Sequence, residues 1–235
     1  MMEPLNSPLQ ACNDIFFKPN RVFATLTQKN NWSWFPFIIV TLMMILPTYY
    51  YFSFVDFDWF KEYIITAQYG DVSPAEQENI RRGMTAGTVK TFGLLQAGFG
   101  LIIFNAIMAL YLNIMTKSDE ENINGYTDWY GFTWWTAMPA IVSGLLSMLM
   151  MLLADNHQLS PADIAPTSLA FFLGLEMTSE WFGLASSVRL ESIWGIYLTA
   201  VGISQWTKIS QNKCWMIAVI PSALIWGIWL VVRLV

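Results

Sequence analysis

Four long apolar stretches constrain the fold of this chain more than any other feature. They lie at about residues 33–55, 91–115, 131–153 and 214–232, and none of them contains Asp, Glu, Lys, Arg or His. A helix of ~20 apolar residues is long enough to cross the ~30 Å hydrocarbon core of a bilayer. Because backbone polar groups must be satisfied inside lipid, a spanning stretch of this kind forms a helix. The sequence therefore predicts an integral membrane protein.

The rest of the composition supports this class. Charged residues make up 12% of the chain, compared with roughly 25% in a soluble domain. A fifth stretch, residues 188–206, is apolar from Ile193 onward, and Arg189 and Glu191 at its start can extend to the headgroups. We therefore predict an all-α fold, a polytopic transmembrane helix bundle with five spanning helices plus interfacial or re-entrant amphipathic helices, in a single domain over residues 1–235.

The stretch at residues 167–187 differs from these five because it carries Glu176 and Glu180. Its Leu and Phe residues contribute roughly −2 to −4 kcal/mol to insertion, whereas two central carboxylates cost about 5 kcal/mol. The sum does not favour insertion of an isolated span. We expect an interfacial or re-entrant helix at the outer membrane face, with both glutamates on one helical face.

Two further segments predict helices outside the spans. Residues 1–30 should form cytoplasmic interfacial helices, since the stretch from Phe16 to Leu26 is amphipathic and basic and has Pro19 near its start. Ser73-Pro74-Ala75-Glu76 resembles a helix N-terminus, in which Ser caps and Pro occupies the first turn. We expect that second helix to continue into the span at residues 91–115.

Polar groups near or inside the membrane are the candidate binding residues. Glu176 and Glu180 have three open interpretations: two solvated surface glutamates, a structural pair with Arg189 as a candidate partner, or a proton- or cation-handling site. Asn105, within the second span, either bonds to neighbouring helices or contributes to a substrate site. Pro139 should bend the third span, and the neighbouring helices must then satisfy a freed carbonyl.

Several classes of function have no support in the sequence. The chain lacks HExxH, GxSxG, Walker and GxGxxG motifs, so we predict no catalytic residue and no cofactor. Ordinary loop polarity explains the single histidine, His157, better than a metal site does. The net charge of −5 argues against nucleic acid as a partner. Two cysteines without a CxxC motif indicate neither a disulfide framework nor a zinc cluster.

Several short patterns, in this order along the chain, resemble the Yip (Ypt-interacting protein) domain family of five-span membrane proteins. They are Phe-x-Pro-x-x-Val-Phe (Phe17 to Phe23), Asn31-Trp32, Tyr126 with Pro139, Ser192-Ile193-Trp194 followed by Leu198 and Gly202-Ile203, and the polar run from Lys208 to Lys213. The resemblance covers nearly the whole chain. It adds Tyr126 and Pro139 to the candidate binding residues.

The resemblance implies a cytosolic N-terminus, a C-terminus on the opposite side, and homo- or hetero-oligomers. Eukaryotic members bind prenylated Rab-type GTPases in vesicle traffic. The N-terminal tail here is short and no Asp-Leu-Tyr-Gly-Pro motif is present, which makes a Rab-type partner doubtful and suggests a prokaryotic member in the inner membrane. The lysine and arginine distribution favours the same orientation only weakly.

Three functions follow as hypotheses. The first is a non-enzymatic scaffold or adaptor in membrane organisation or trafficking, whose partners are membrane lipids, other copies of the chain or other membrane proteins. The second is a small-solute or ion transporter or channel that uses the intramembrane polar groups. The third is an intramembrane enzyme, which no sequence motif supports.

Overall fold

The computed structural model describes residues 5–234, and these are 73% helical without a strand. The helices in this part of the chain are α1 (Pro8–Asp14), α2 (Pro19–Leu26), α3 (Trp34–Phe54), α4 (Phe57–Tyr69), α5 (Pro74–Gly83), α6 (Ala86–Leu95), α7 (Leu101–Met115), α8 (Tyr126–Thr136), α9 (Ala140–Leu152), α10 (Leu169–Phe172), α11 (Phe182–Ser187), α12 (Leu190–Trp206) and α13 (Gln211–Leu234). A π-helical turn, Gln96–Gly100, joins α6 to α7.

Four helical runs are long and apolar enough to cross a membrane. They are Trp34–Phe54, Ala86–Ser118, Tyr126–Leu152 and Gln211–Leu234, and these candidate spans coincide with the stretches at residues 33–55, 91–115, 131–153 and 214–232. The stretch predicted as a fifth span, residues 188–206, forms α12, which has 17 residues and is not among these four. The protein is therefore a multi-pass membrane protein with four clear candidate spans.

Two of the predicted helices are interrupted. The helix that begins after Ser73 ends at Gly83, and a new helix begins after Thr85, whose side chain accepts a hydrogen bond from the amide of Thr88 (3.2 Å). The prediction of one continuous helix into the second span was therefore wrong, because a second cap competes with continuation. In the third span, the turn at 137–139 separates α8 from α9 at Pro139, which has no backbone N–H to continue the helix.

Residues 5–42, 100–141 and 191–225 form one compact unit, which we call unit 1. Its core contains aromatic side chains that are almost entirely buried, among them Phe23, Trp129 and Phe132. The rings of Phe23 and Phe132 lie 5.0 Å apart, and a Cβ added at Gly202 would come within 2.3 Å of the Phe132 ring. Helix α12 can therefore approach these rings only with glycine at position 202.

The N-terminal helices are part of this core. Helix α2 starts at Pro19, as the sequence predicted, and it buries Val22, Phe23 and Leu26. The indole N–H of Trp206 donates to the carbonyl of Phe23 (3.0 Å). The apolar face of this amphipathic helix is thus covered by protein within unit 1.

Residues 43–99, 142–190 and 226–234 form a second compact unit, unit 2. Within it, Arg81 on α5 donates to both carboxylate oxygens of Glu62 on α4 (2.7 and 2.8 Å) and to Glu78 (3.0 Å). The hydroxyl of Tyr51 donates to the carbonyl of Leu159 (2.8 Å). These bonds hold the connecting segments of unit 2 against the helix ends.

The segment at 167–187 does not form the single helix that we predicted. Helices α10 and α11 are separated by residues 173–181, where Gly174 has φ of +61°. Helices often end at a glycine in this left-handed conformation, and the amide of Leu175 then donates back to the carbonyl of Ala170 (2.9 Å). Glycine at position 174 therefore overrides the helical spacing of the two glutamates.

Candidate functional site

Unit 1 contains a cleft of about 650 Å³. It opens where α2 gives way to α3 and where α8 begins, and we call it the Trp134 cleft after the most deeply buried of its aromatic wall residues. Its volume lies within the range of ~300–1,000 Å³ that is typical of small-molecule pockets. Its lining combines aromatic side chains with polar and charged ones.

Aromatic rings in mutual edge contact form one wall of the cleft. The ring of Phe37 lies 4.8 Å from that of Trp134 and 5.4 Å from that of Trp34, and both pairs are nearly perpendicular. Tyr130 meets Trp134 in the same way at 5.9 Å. Edge-to-face pairs of this kind are stabilising, so the wall is a preformed apolar surface.

The polar rim depends on a tight turn after α2. Asn31 adopts φ of +65°, the only positive φ of a non-glycine residue in the described chain, and asparagine tolerates this conformation better than most residues. The turn places Lys29, Asn30 and Asn31 at the mouth of the cleft, where all three are exposed. The ammonium of Lys29 lies 5.6 Å from the ring of Trp32.

Asp128 supplies the negative charge of the cleft. It lies in the first turn of α8, where its carboxylate accepts a hydrogen bond from the amide of Gly125 (2.8 Å) and so fixes the start of the helix. Lys29 and Asp128 are the charged residues among the described lining, and neither forms an ion pair within the described chain. The cleft therefore holds one separated cation and one separated anion.

The wall also contains an unsatisfied donor. Trp134 is 2% exposed, and its indole nitrogen has no hydrogen-bond partner among the described residues. The same holds for Trp129 in the adjoining core, whereas Trp135 donates to the hydroxyl of Ser33 (3.2 Å). A buried donor left unpaired costs about 1–3 kcal/mol, so the core beside the cleft has unused hydrogen-bonding capacity.

The two glutamates lie in unit 2, in the segment between α10 and α11. Glu176 is exposed, and its carboxylate accepts a bond from the hydroxyl of Thr178 (3.4 Å). Glu180 is also exposed and pairs with Arg233 near the end of α13, with 3.0 Å between Oε2 and Nη2. The expectation that both share one helical face was wrong, and the partner Arg233 was not foreseen from the sequence.

Arg189 and Asn105 have structural bonds. The guanidinium of Arg189 donates to the carbonyl of Ser186 (3.0 Å), and Arg189 also forms an isolated antiparallel bridge with Ser168. Asn105 is 3% exposed and donates to the carbonyl of Leu101 one turn earlier on α7 (3.0 Å). The bond of Asn105 favours the structural interpretation of that residue.

Tyr126 and Pro139 belong to the third span but do not line the Trp134 cleft. Tyr126 is the first residue of α8, is 41% exposed and stacks with Tyr130 at 6.3 Å. Pro139 is buried in the turn between α8 and α9. None of the six residues proposed from the sequence lies among the described cleft residues.

Sequence reasoning missed the cleft residues Lys29, Asn31 and Asp128. One signal was available, since Asn31-Trp32 was part of the family resemblance and stands directly before a span. The described residues contain no group of three His, Cys, Asp or Glu side chains that could hold a metal ion.

Comparison with known proteins gives one match. The family model of the Yip1 domain matches residues 13–234, which is nearly the whole chain. No curated protein and no solved structure matches the sequence. The match includes the helices that build the Trp134 cleft and those of unit 2 that carry the two glutamates, so the resemblance drawn from short motifs is confirmed and the chain belongs to the Yip1 domain family.

Proposed function

We propose that this protein is a non-enzymatic membrane scaffold or adaptor. The observation that carries the proposal is the distribution of charge along the four candidate spans. Charged residues stand only within five residues of a span end, namely Lys90, Lys117, Asp128, Lys213 and Arg233. Ion and proton pathways depend on ionisable groups inside the membrane, and these spans have none at mid-depth.

The packing of unit 1 supports the same conclusion. Its core consists of interlocked aromatic and aliphatic side chains, and the amide nitrogen of the buried Asn105 is satisfied by its own helix. Polar groups that line a transport path must remain available to the solute. This bond favours a structural role for Asn105 over a place on a transport path.

The proposal includes a topology with five spans and a cytoplasmic N-terminus, in which α12 is the fifth span. At its end, Trp206 accepts a bond from Asn124 (3.4 Å), which precedes the third span. At its start, Leu190 donates to Thr167 (3.0 Å), which follows that span. The hydroxyl of Thr167 also bonds to that of Ser143 within the third span (3.0 Å), so the start of α12 lies beside that span.

The length of α12 is compatible with a crossing. Its 17 residues correspond to a helix of about 25 Å at 1.5 Å per residue. The bilayer can thin locally to match a helix that is somewhat shorter than its ~30 Å hydrocarbon core. In this proposal the protein lies in the inner membrane with its C-terminus on the opposite side. Other copies of the chain or other membrane proteins are its proposed protein partners, and a Rab-type GTPase is not proposed.

Two measurements test the scaffold proposal. Crosslinking in intact membranes, followed by purification in mild detergent, should recover a defined membrane protein or a second copy at constant stoichiometry. Purified protein in liposomes that contain a pH-sensitive or ion-sensitive dye should leave the dye signal at the level of empty liposomes. Solute-dependent flux above that level would contradict the proposal and revive the transporter alternative.

A further inference from the structure

The Trp134 cleft has features that a scaffold role does not require. It combines a rim with one cation and one anion, three asparagine side chains, and an aromatic wall. We infer that it binds a membrane phospholipid whose headgroup carries both a phosphate and a primary ammonium group. The inference does not depend on the proposed scaffold function.

The position of the cleft indicates where the ligand comes from. Two candidate spans begin at its mouth, one at Trp34 and the other at Tyr126, and Trp34 and Asp128 both line it. Tryptophan and tyrosine at the ends of spans lie at the level of the lipid headgroups. A cleft at this level is in permanent contact with headgroups and the upper parts of acyl chains.

The charges of the cleft favour a zwitterionic headgroup. Lys29 can donate to a phosphate oxygen in a charge-assisted hydrogen bond, and the amides of Asn30 and Asn31 supply further donors. Asp128 can accept from an ammonium, since it has no ion-pair partner in the described chain. An anionic headgroup without an amine would pair with Lys29 but would leave the carboxylate of Asp128 without a partner.

The aromatic wall fits the remaining parts of the same molecule. Trp34 and Phe37, with the buried Trp134 ring behind Phe37, present an apolar surface, against which the glycerol backbone and the first methylenes can pack. Aromatic faces also attract an ammonium group. The polar and apolar halves of the cleft therefore match the two halves of one amphiphile.

Native mass spectrometry of the full-length protein in detergent tests the inference. The protein is titrated with phosphatidylethanolamine and, separately, with phosphatidylglycerol of the same acyl chains. We expect phosphatidylethanolamine to bind about tenfold more tightly, the factor that one charge-assisted hydrogen bond contributes. Equal affinity for the two lipids would overturn the inference.

Charge-removing variants locate the site. Lys29→Gln should lower the affinity for both lipids, whereas Asp128→Asn should remove only the preference for the amine, because asparagine can still accept the hydrogen bond from Gly125. Lys18→Gln and Asp58→Asn, exposed residues outside the cleft, should leave binding unchanged. If the cleft variants behave like these controls, the lipid binds elsewhere and the inference fails.

Two further measurements test whether the lipid binds in the cleft and whether the site needs the whole lipid or only its headgroup. Thr127→Trp places bulk on an exposed lining residue without a charge change, and it should reduce the number of bound lipids by one. Soluble glycerophosphoethanolamine should compete weakly, since it lacks the chains that pack on the wall. Competition as strong as that of the lipid would overturn the assignment to a phospholipid, and unchanged stoichiometry in the Thr127 variant would overturn the location.

Discussion

At the scale of single residues, glycine and tryptophan decide the packing of unit 1. Gly202 lets α12 approach so closely that an added Cβ would meet the rings of Phe132 and Phe23 at 2.3 and 3.0 Å. Buried aromatic rings occupy the space that a side chain at position 202 would need. In a close-packed core these rings cannot move aside without disturbing the neighbouring helices. By contrast, a Cβ added at Gly227 on α13 would meet no atom within 4 Å among the described residues.

A matched pair of alanine substitutions tests this difference. Gly202→Ala should lower the free energy of unfolding by about 1–3 kcal/mol, the usual cost of overpacking a core. Gly227→Ala should be neutral or slightly stabilising, since alanine has the higher helix propensity. Thermal unfolding in detergent, followed by circular dichroism, measures both, and equal effects would contradict close packing of α12 on the two rings.

The two glutamates at 176 and 180 test the site hypothesis at the same scale. Glu176→Gln should change the free energy of unfolding by less than about 0.5 kcal/mol, as expected for an exposed residue. Glu180→Gln should cost up to about 1 kcal/mol, because its pair with Arg233 is largely exposed on the glutamate side, at 80%. Unfolding curves of the two variants measure these values, and normal folding with loss of a pH-dependent activity would instead indicate a proton- or cation-handling site.

At the scale of elements, the pair α4 and α5 depends on one arginine. The guanidinium of Arg81 donates to Glu62 and Glu78 and holds the pKa of both carboxyl groups below its usual value. The same bonds raise the pKa of Arg81, so its guanidinium stays charged at acidic and neutral pH. These residues precede the second span, outside the bilayer core, so their contact responds to the pH of the aqueous phase.

Acid should therefore loosen this helix pair. A depressed folded-state pKa contributes stability above the unfolded value, about 4.3 for glutamate, and this contribution is lost as the pH falls through the folded value. Spin labels at the exposed positions Thr66 and Asn79 should report a narrow distance distribution at pH 7 that broadens below about pH 4. The Arg81→Gln variant should show the broad distribution at every pH, and a narrow one there would mean that other contacts hold the pair.

At the scale of the whole molecule, the number of crossings decides on which side of the membrane the C-terminus lies. Four candidate spans alone would return the C-terminus to the side of the N-terminus, whereas a fifth places the two on opposite sides. The native cysteines do not report on this, because Cys12 and Cys214 are both buried. Burial raises the pKa of the Cys12 thiol to about 11, so little thiolate exists near neutral pH.

Cysteines introduced at exposed positions test the number of crossings directly, because the two buried native cysteines do not react with the reagent. With five spans and a cytoplasmic N-terminus, Asp71→Cys and Asn156→Cys should react with an impermeant thiol reagent in intact cells. Glu120→Cys and Ser210→Cys should react only after permeabilisation. Reaction of the Asn156 and Ser210 variants from the same side would show that α12 does not cross.

The sequence by itself determined the membrane class, four of the spans, the helix start at Pro19 and the family. These features depend on local composition, because a bilayer imposes a fixed length of apolar helix and a proline acts on its own turn. The family match at residues 13–234 confirms motifs that were individually weak. Such signals can be read without knowing which segments meet.

Only the tertiary structure decided where the polar groups go. Gly174 divides the segment at 167–187, so Glu180 reaches Arg233 more than fifty residues away instead of sharing a helical face with Glu176. Lys29 and Asp128, far apart in the chain, line one cleft because α2, α3 and α8 pack around the same aromatic core. Side chains that meet across such distances are selected by packing, which no local pattern in the sequence records.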